Sequence, residues 1–360
     1  MAPAVSRARG RLGRAGPATV LVAAVLLLAA AGGPGARASR PLRGRAGDRA
    51  GRQDAGGDNA GGDPRPLVGV VTQSGSPAPE GHTYIAASYI KFVEASGARA
   101  VPILEGSTRA EVEALFPRLN AVVFPGGNVR LTEPNNPFME TLTHLYLLAE
   151  GANERGEYFP IWAVCLGFEA LTILASGRDS VYRSFNAEDY AAPLAWTDDV
   201  WQGRLFADFG NELIGKLANQ PLAFENHKHG LAVADFSQYL AADYLLLSTS
   251  KDRDDRAYVS TIEHKTKPYY GFQWHPEKNL FEWNPTEVTL AHTADAISVT
   301  NKLCLFFGKE LRKRHVVRPP EAEREIEKLL IYNYPLKYTG RLKPSGGVES
   351  GFDEAYIFPK

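Results

Sequence analysis

From position 67 onward the chain repeats one pattern: a run of four to seven apolar residues, a turn, then an amphipathic segment. Runs that short and that continuously apolar suit strands covered on both faces. Interleaving them with helices dictates a parallel sheet with helices above and below it. LVGVVTQ (67–73) reads as the first strand, 84–96 as a helix stopped at Gly97, 101–104 as a strand and 109–119 as a helix. A third strand at 121–124 is broken at once by Pro125-Gly126-Gly127; a helix over 137–151, a fourth strand over 159–164 and a helix from Leu166 follow. Farther on, 222–234, 244–250, 258–263 and 269–274 read as strands, 286–314 as one long closing helix, and YIFPK as an extended segment packed on the body. The expected architecture is a single α/β domain over 66–360: a central, mostly parallel sheet in a three-layer sandwich of the flavodoxin-like kind.

Charge divides the chain. Residues 1–65 carry 11 Arg, no Lys and 4 Asp of the total 40 Lys+Arg and 41 Asp+Glu, which makes the front about +7 and the remainder about −8. An acidic body lacks the basic face that nucleic acid requires, so no nucleic-acid partner is expected. With 44% apolar residues the body can bury a full core, and two cysteines exclude a disulfide-stapled scaffold. Arg7, Arg9, Arg11 and Arg14 precede an apolar run over 18–31, and Ala36-Arg37-Ala38 supplies a small-residue cleavage site. That is the form of a secretory signal over 1–38, cut after Ala38. The apolar run falls short of the ~20 residues that span a bilayer, so no stable membrane association is expected. Residues 39–65, rich in Gly, Arg and Asp, read as a disordered leader or propeptide. The chain has no Asn-x-Ser/Thr acceptor, since Asn284 is followed by Pro.

In an open α/β sheet the reactive groups gather where strands end and helices begin. Cys165, in Ile161-Trp-Ala-Val-Cys165-Leu166-Gly167-Phe-Glu169, stands at such a junction. A sharp strand-to-helix turn pushes its side chain outward, and the helix N-terminus is expected to lower the thiol pKa from about 8.5. Gly167 would allow helix and strand to close together. Taken alone, Cys165 fits a buried core thiol equally well. In Gly271-Phe-Gln-Trp-His275-Pro-Glu277 an imidazole and a carboxylate stand two residues apart in an extended segment and so point to one side. The carboxylate can then fix the ring tautomer and leave the other nitrogen for the thiol. After the third strand, Phe124-Pro-Gly126-Gly127 offers free backbone N–H groups; with the N–H of Leu166, that of Gly127 would form an oxyanion hole. A Pro-Gly-Gly by itself is only a turn. The order Gly-Gly, cysteine junction, His-x-Glu gives it meaning.

Taken together, YIAASYIKFVEASGARAVPI, FPGG, YFPIWAVCLGFE, HKHGLAV, YYGFQWHPEKNLFEW and LIYNYPLKYTG…YIFPK, in this order across 66–360, resemble the gamma-glutamyl hydrolase (folylpolyglutamate hydrolase) family within the class I glutamine amidotransferase-like fold. The resemblance implies Cys165 as nucleophile, His275 as general base and acid, Glu277 as orienting carboxylate, and Tyr84, Gly126 and His227 in the substrate cleft. It further implies folate poly-γ-glutamates as small-molecule substrates, no metal or organic cofactor, a homodimer, and a lysosomal or secreted location. Two departures stand out. Ala163 stands where the family usually has Gly two residues before the nucleophile, where a methyl group would strain a tight turn. HKHGLAV replaces HKWSLS, which leaves the role of His229 open.

Other features read as structural. His227-Lys228-His229 has i, i+2 spacing but no third ligand at a metal-site spacing. Cys304 sits among Leu303, Leu305 and Phe306 as a core thiol, 309–315 is a solvated basic helix end, and Trp196, Trp201 and Trp283 read as packing rather than as a wall for an aromatic ligand. Two rival functions remain on this fold: a glutaminase that feeds ammonia to a synthase, which would release ammonia from free glutamine, and a non-catalytic secreted binding protein, which has no use for an intact Cys, His and Glu.

Overall fold

The computed structural model of this chain describes residues 65–178, 182–345 and 347–360; the signal segment, its cleavage after Ala38 and nearly all of the leader lie outside them. Successive elements are β1 (Leu67–Val71), β2 (His82–Ala86), α1 (Ala87–Ala95), β3 (Arg99–Ile103), α2 (Arg109–Leu115), β4 (Ala121–Phe124), α3 (Pro137–Glu154), β5 (Ile161–Val164) and α4 (Leu166–Ser176). There follow β6 (Tyr182–Ala192), β7 (Ala195–Trp196), α5 (Gly210–Asn219), β8 (Ala223–Leu231), α6 (Val233–Tyr239), β9 (Tyr244–Lys251), β10 (Ala257–His264) and β11 (Tyr269–Phe272). The remainder is α7 (Lys278–Phe281), α8 (Ala294–Arg312), α9 (Pro320–Glu327), β12 (Leu336–Tyr338) and β13 (Glu354–Pro359).

The main sheet runs in the order β3-β1-β4-β5-β11-β10-β9-β7. From β3 to β11 every pairing is parallel, and from β11 outward the pairings turn antiparallel. The expected mostly parallel sheet is therefore the half that carries the strand-to-helix junctions. Side chains alternate across it and seed two cores. Val68, Val70, Val123 and Trp162 pack with Phe92 of α1 and Leu303 and Phe307 of α8. Leu67, Val71, Val122 and Phe124 pack with Leu142 of α3 and Phe168 of α4 on the opposite face. Helices on two faces of one sheet make the three-layer sandwich. Cys304 belongs to the first core, as its neighbours imply.

Several boundaries differ from the expectation. Residues 84–86 begin as strand, because β2 pairs with β13 in a separate sheet ordered β12-β13-β2. That partner lies far along the chain, so local helical periodicity misreads the start. The long closing helix begins at Ala294 rather than at 286, behind an N-cap in which the Thr293 side chain accepts from Ala296 N. The run at 222–234 ends as strand at Leu231 and resumes as α6. β6, which carries no short apolar run to signal a strand, pairs with β8 through two register shifts.

Candidate active site

Cys165 occupies the junction between β5 and α4 with φ 50° and ψ −110°, a left-handed conformation that a side chain adopts only under constraint. The constraint is visible at both ends. Cys165 N donates to Phe272 O at 2.7 Å, and Cys165 O accepts from Glu169 N at 2.9 Å. A Cβ at position 167 would overlap the Phe124 carbonyl oxygen, so only glycine lets α4 close onto β4 and hold the turn. The strain falls on Cys165 itself. Ala163, paired with Gly271 and Phe124 in the sheet, has no positive φ, and the methyl group expected to strain the turn is accommodated in ordinary strand.

His275 arrives from the end of β11. Its N–H donates to Phe224 O at 2.8 Å, and the next carbonyl, Pro276 O, accepts from Thr300 Oγ1 of α8 at 2.7 Å. These two anchors fix the His-Pro-Glu turn. Within it Glu277 Oε1 lies 2.8 Å from His275 Nδ1, which leaves the remaining ring nitrogen available for a thiol. Cysteine and histidine converge on Gly126: an ideal Cβ there would sit 2.9 Å from His275 Cε1 and 3.1 Å from Cys165 Cβ. Gln73 closes the floor, its Nε2 donating to Gly126 O at 2.6 Å and its amide packed against Gly127. Gly127, Cys165, Leu166, His227, His275 and Lys278 line one cleft of about 620 Å3.

The electrostatics correct one expectation. Instead of being lowered, the Cys165 thiol pKa is pushed well up, first by burial and then by the Glu169 carboxylate. Lys278 and the Leu166 N–H pull it down, and Glu277 adds to the rise. The helix N-terminus thus acts as anticipated but loses to desolvation, so a thiolate here needs a proton acceptor in the site rather than a low intrinsic pKa. Glu169, in the first turn of α4, is itself raised to about 7, chiefly by burial, with His227 and a hydrogen bond from Gln273 opposing.

Tyr84 is buried on β2, bridged through its backbone to Gln73, and its ring meets Phe352 with centroids 5.5 Å apart. His227, on β8, faces the cleft, but both ring nitrogens are engaged: Nε2 with Glu225 Oε2 at 3.1 Å and Nδ1 with His229 O at 2.6 Å. Among the described residues no group of three or more His, Cys, Asp or Glu could hold a metal ion. His229 and Lys228 line the mouth, the former against Tyr182 at 5.6 Å and the latter 3.2 Å from Glu188. Trp201 and Trp283 are exposed and stand apart from the cleft lining, as does Trp196, whose Nε1 donates to Ile214 O.

Four residues of the site escape sequence reasoning. Tyr89, on the buried face of α1, accepts from Gly126 N at 2.8 Å and stands 3.4 Å from His275 Nδ1; in the sequence it is one more apolar-face residue. Lys278 is fully enclosed beside the site, though a lysine after His-Pro-Glu reads as surface charge. Gly351 and Phe352, just before β13, form part of the cleft wall from the far end of the chain.

A family model for peptidase C26 matches residues 66–277. Gamma-glutamyl hydrolase 1 of Arabidopsis thaliana is 36% identical over 306 residues, covering 82% of this chain and 83% of that protein. Gamma-glutamyl hydrolase of Homo sapiens is 35% identical over 299 residues, covering 82% and 90%. Gamma-glutamyl hydrolase B of Dictyostelium discoideum is 32% identical over 301 residues, covering 81% and 83%. A match over more than half of the chain, with relatives aligned nearly end to end, places the sequence, and the chain belongs to the peptidase C26 family.

Proposed function

We propose that this chain is a cysteine hydrolase that cleaves γ-glutamyl amide bonds of folate poly-γ-glutamates. The observation that carries the reading is the convergence of a strained Cys165 and a Glu277-bound His275 on one point at Gly126. His275 takes the thiol proton on its free nitrogen, and the thiolate sulfur attacks the γ-carbonyl carbon. The oxyanion that forms is held by the N–H groups of Gly127 and Leu166. The imidazolium returns its proton to the leaving amine, and water activated by the same ring hydrolyses the thioester. Glu277 fixes the ring and steadies its positive charge. Tyr84, Gly126 and His227 shape the γ-glutamyl end of the cleft, and Lys228 at the mouth offers a cation to the anionic tail. His227, held by Glu225, serves better as an internal support than as a direct ligand. Names of the aligned relatives support the bond type, and the motif resemblance supports the folate tail.

The same reading takes residues 1–38 as a secretory signal, 39–65 as a leader, and the body as a homodimer-forming enzyme of the lysosome or extracellular space. Among the described residues no helix is long and apolar enough to cross a membrane. Incubating the protein with a pteroyl-polyglutamate and resolving product lengths tests the activity. Shortened tails with the parent, and none with Cys165→Ala, are expected; equal turnover by both would refute it. Ammonia release from free glutamine without tail cleavage would instead favour a glutaminase.

A further inference from the structure

Lys278 directly follows the His-Pro-Glu turn, yet its side chain is only 2% exposed. It pairs with Glu287, which is 4% exposed, and its Nζ lies 5.4 Å from the Phe224 ring and 5.3 Å from the Phe352 ring. Glu282 is buried alongside, accepting from Asp353 N at 2.6 Å. A buried ammonium is costly unless paired, and one partner would suffice for that. Here the carboxylates outnumber it. Glu277 Oε2 and Glu287 Oε2 are both buried without a hydrogen-bond partner. The groups that face Cys165 are Glu169 from α4, Glu277 and His275 from the turn after β11, Tyr89 from α1, and Lys278. Those that face Lys278 are Glu277, Glu282 and Glu287. Cys165 thus sits among carboxyl groups, two of which, Glu169 and Glu282, are raised to about 7 by burial, with Lys278 as the cation that opposes them.

We infer that Lys278 is a positioning residue that acts through charge: its ammonium offsets the surrounding carboxylates so that proton transfer from Cys165 Sγ to His275 yields a thiolate–imidazolium pair. In that step the S–H bond breaks and an N–H bond forms on the ring nitrogen not held by Glu277, with no other reactant consumed. Glu287 tunes the effect by neutralising part of the ammonium. Direction agrees with geometry: Lys278 lowers the thiol pKa, and Glu287 and Glu282 keep the ammonium charged against burial.

This inference rests on Cys165 as the nucleophile, and its deciding readout is thiol alkylation rather than turnover. The rate of iodoacetamide alkylation at Cys165 is followed against pH by peptide mapping, with Cys304 as the internal reference, in the parent, Lys278→Met and Glu287→Gln. Removing the cation should move the alkylation profile up by about one pH unit, a roughly tenfold slower reaction at fixed pH on the acid limb. Removing the balancing carboxylate should move it the other way, and the acid limb of kcat/KM should follow in both variants. A purely structural role would lower stability in both variants and leave the limb in place. No shift, or shifts of the same sign, overturns the inference. If Lys278→Met does not fold, the direction in Glu287→Gln decides alone. A Cys165 that alkylates no faster than Cys304 in the parent would instead overturn the nucleophile assignment.

Discussion

Gly126→Ala is the sharpest probe of the site, because it adds one methyl group at the point where the Tyr89, His275 and Cys165 side chains meet. Position 126 does not have a left-handed φ, so alanine costs no backbone strain. The new Cβ would lie 2.5 Å from Tyr89 Oη and 2.9 Å from His275 Cε1, against ordinary contact at 3.4 Å or more. The tyrosine must therefore retreat by about 0.9 Å and the imidazole by about 0.5 Å, and a misplacement of that order costs about 10²-fold in rate. The retreat also breaks the hydrogen bond from Gly126 N to Tyr89 Oη. Folding should change by only about 1 kcal/mol, since the lost chain entropy of the unfolded state offsets part of the crowding. The assay is kcat/KM for a γ-glutamyl peptide alongside urea unfolding, in a cycle with Tyr89→Phe. Without the hydroxyl the largest overlap disappears, so the methyl group should cost much less in the Tyr89→Phe background. Activity within about twofold of the parent, or an equal methyl cost in both backgrounds, would refute the convergence argument.

Gly167→Ala should act on stability instead: its Cβ overlaps a backbone oxygen that cannot swing aside, and denaturant unfolding should show a loss of about 1–3 kcal/mol or more. Cys165→Gly should be inactive yet about 1 kcal/mol more stable than Cys165→Ala, since glycine relaxes φ 50° and alanine does not; equal stabilities would argue against strain at the turn. Glu169, raised to about 7 by burial, favours the folded state fully below its unfolded value of 4.5 and loses that contribution as pH rises through 7. Between those limits Glu169→Gln should therefore lose less stability than the parent, by at most about 3 kcal/mol; parallel pH profiles would refute the assignment.

The sheet and the cysteine junction were legible because their causes are local. Strands such as 121–124 are short and apolar throughout, and Cys165 followed by Leu-Gly spells a tight turn in adjacent residues. His275 and Glu277 could be paired because two residues of extended chain put them on one side. What escaped depends on distant partners. Residues 84–86 become strand only because 354–359 lies beside them, and Tyr89 becomes polar machinery only when Gly126 reaches its hydroxyl. The direction of the thiol pKa is not legible for a similar reason: the helix N-terminus is written locally, whereas the depth of burial and the Glu169 carboxylate belong to the finished core.

The placement of Phe352 has a consequence for how activity emerges during synthesis. Cys165, His275 and Glu277 have all been made before the segment leading into β13, and β13 zips against β2 beside Tyr84. A chain grown past α8, whose Thr300 anchors the His-Pro-Glu turn, but short of Phe352 holds Cys165, His275 and Glu277 beside an unwalled cleft, with Lys278 missing one of its two rings. Completion of the cleft thus waits on the last strand of the chain rather than on the cysteine, histidine and glutamate within it.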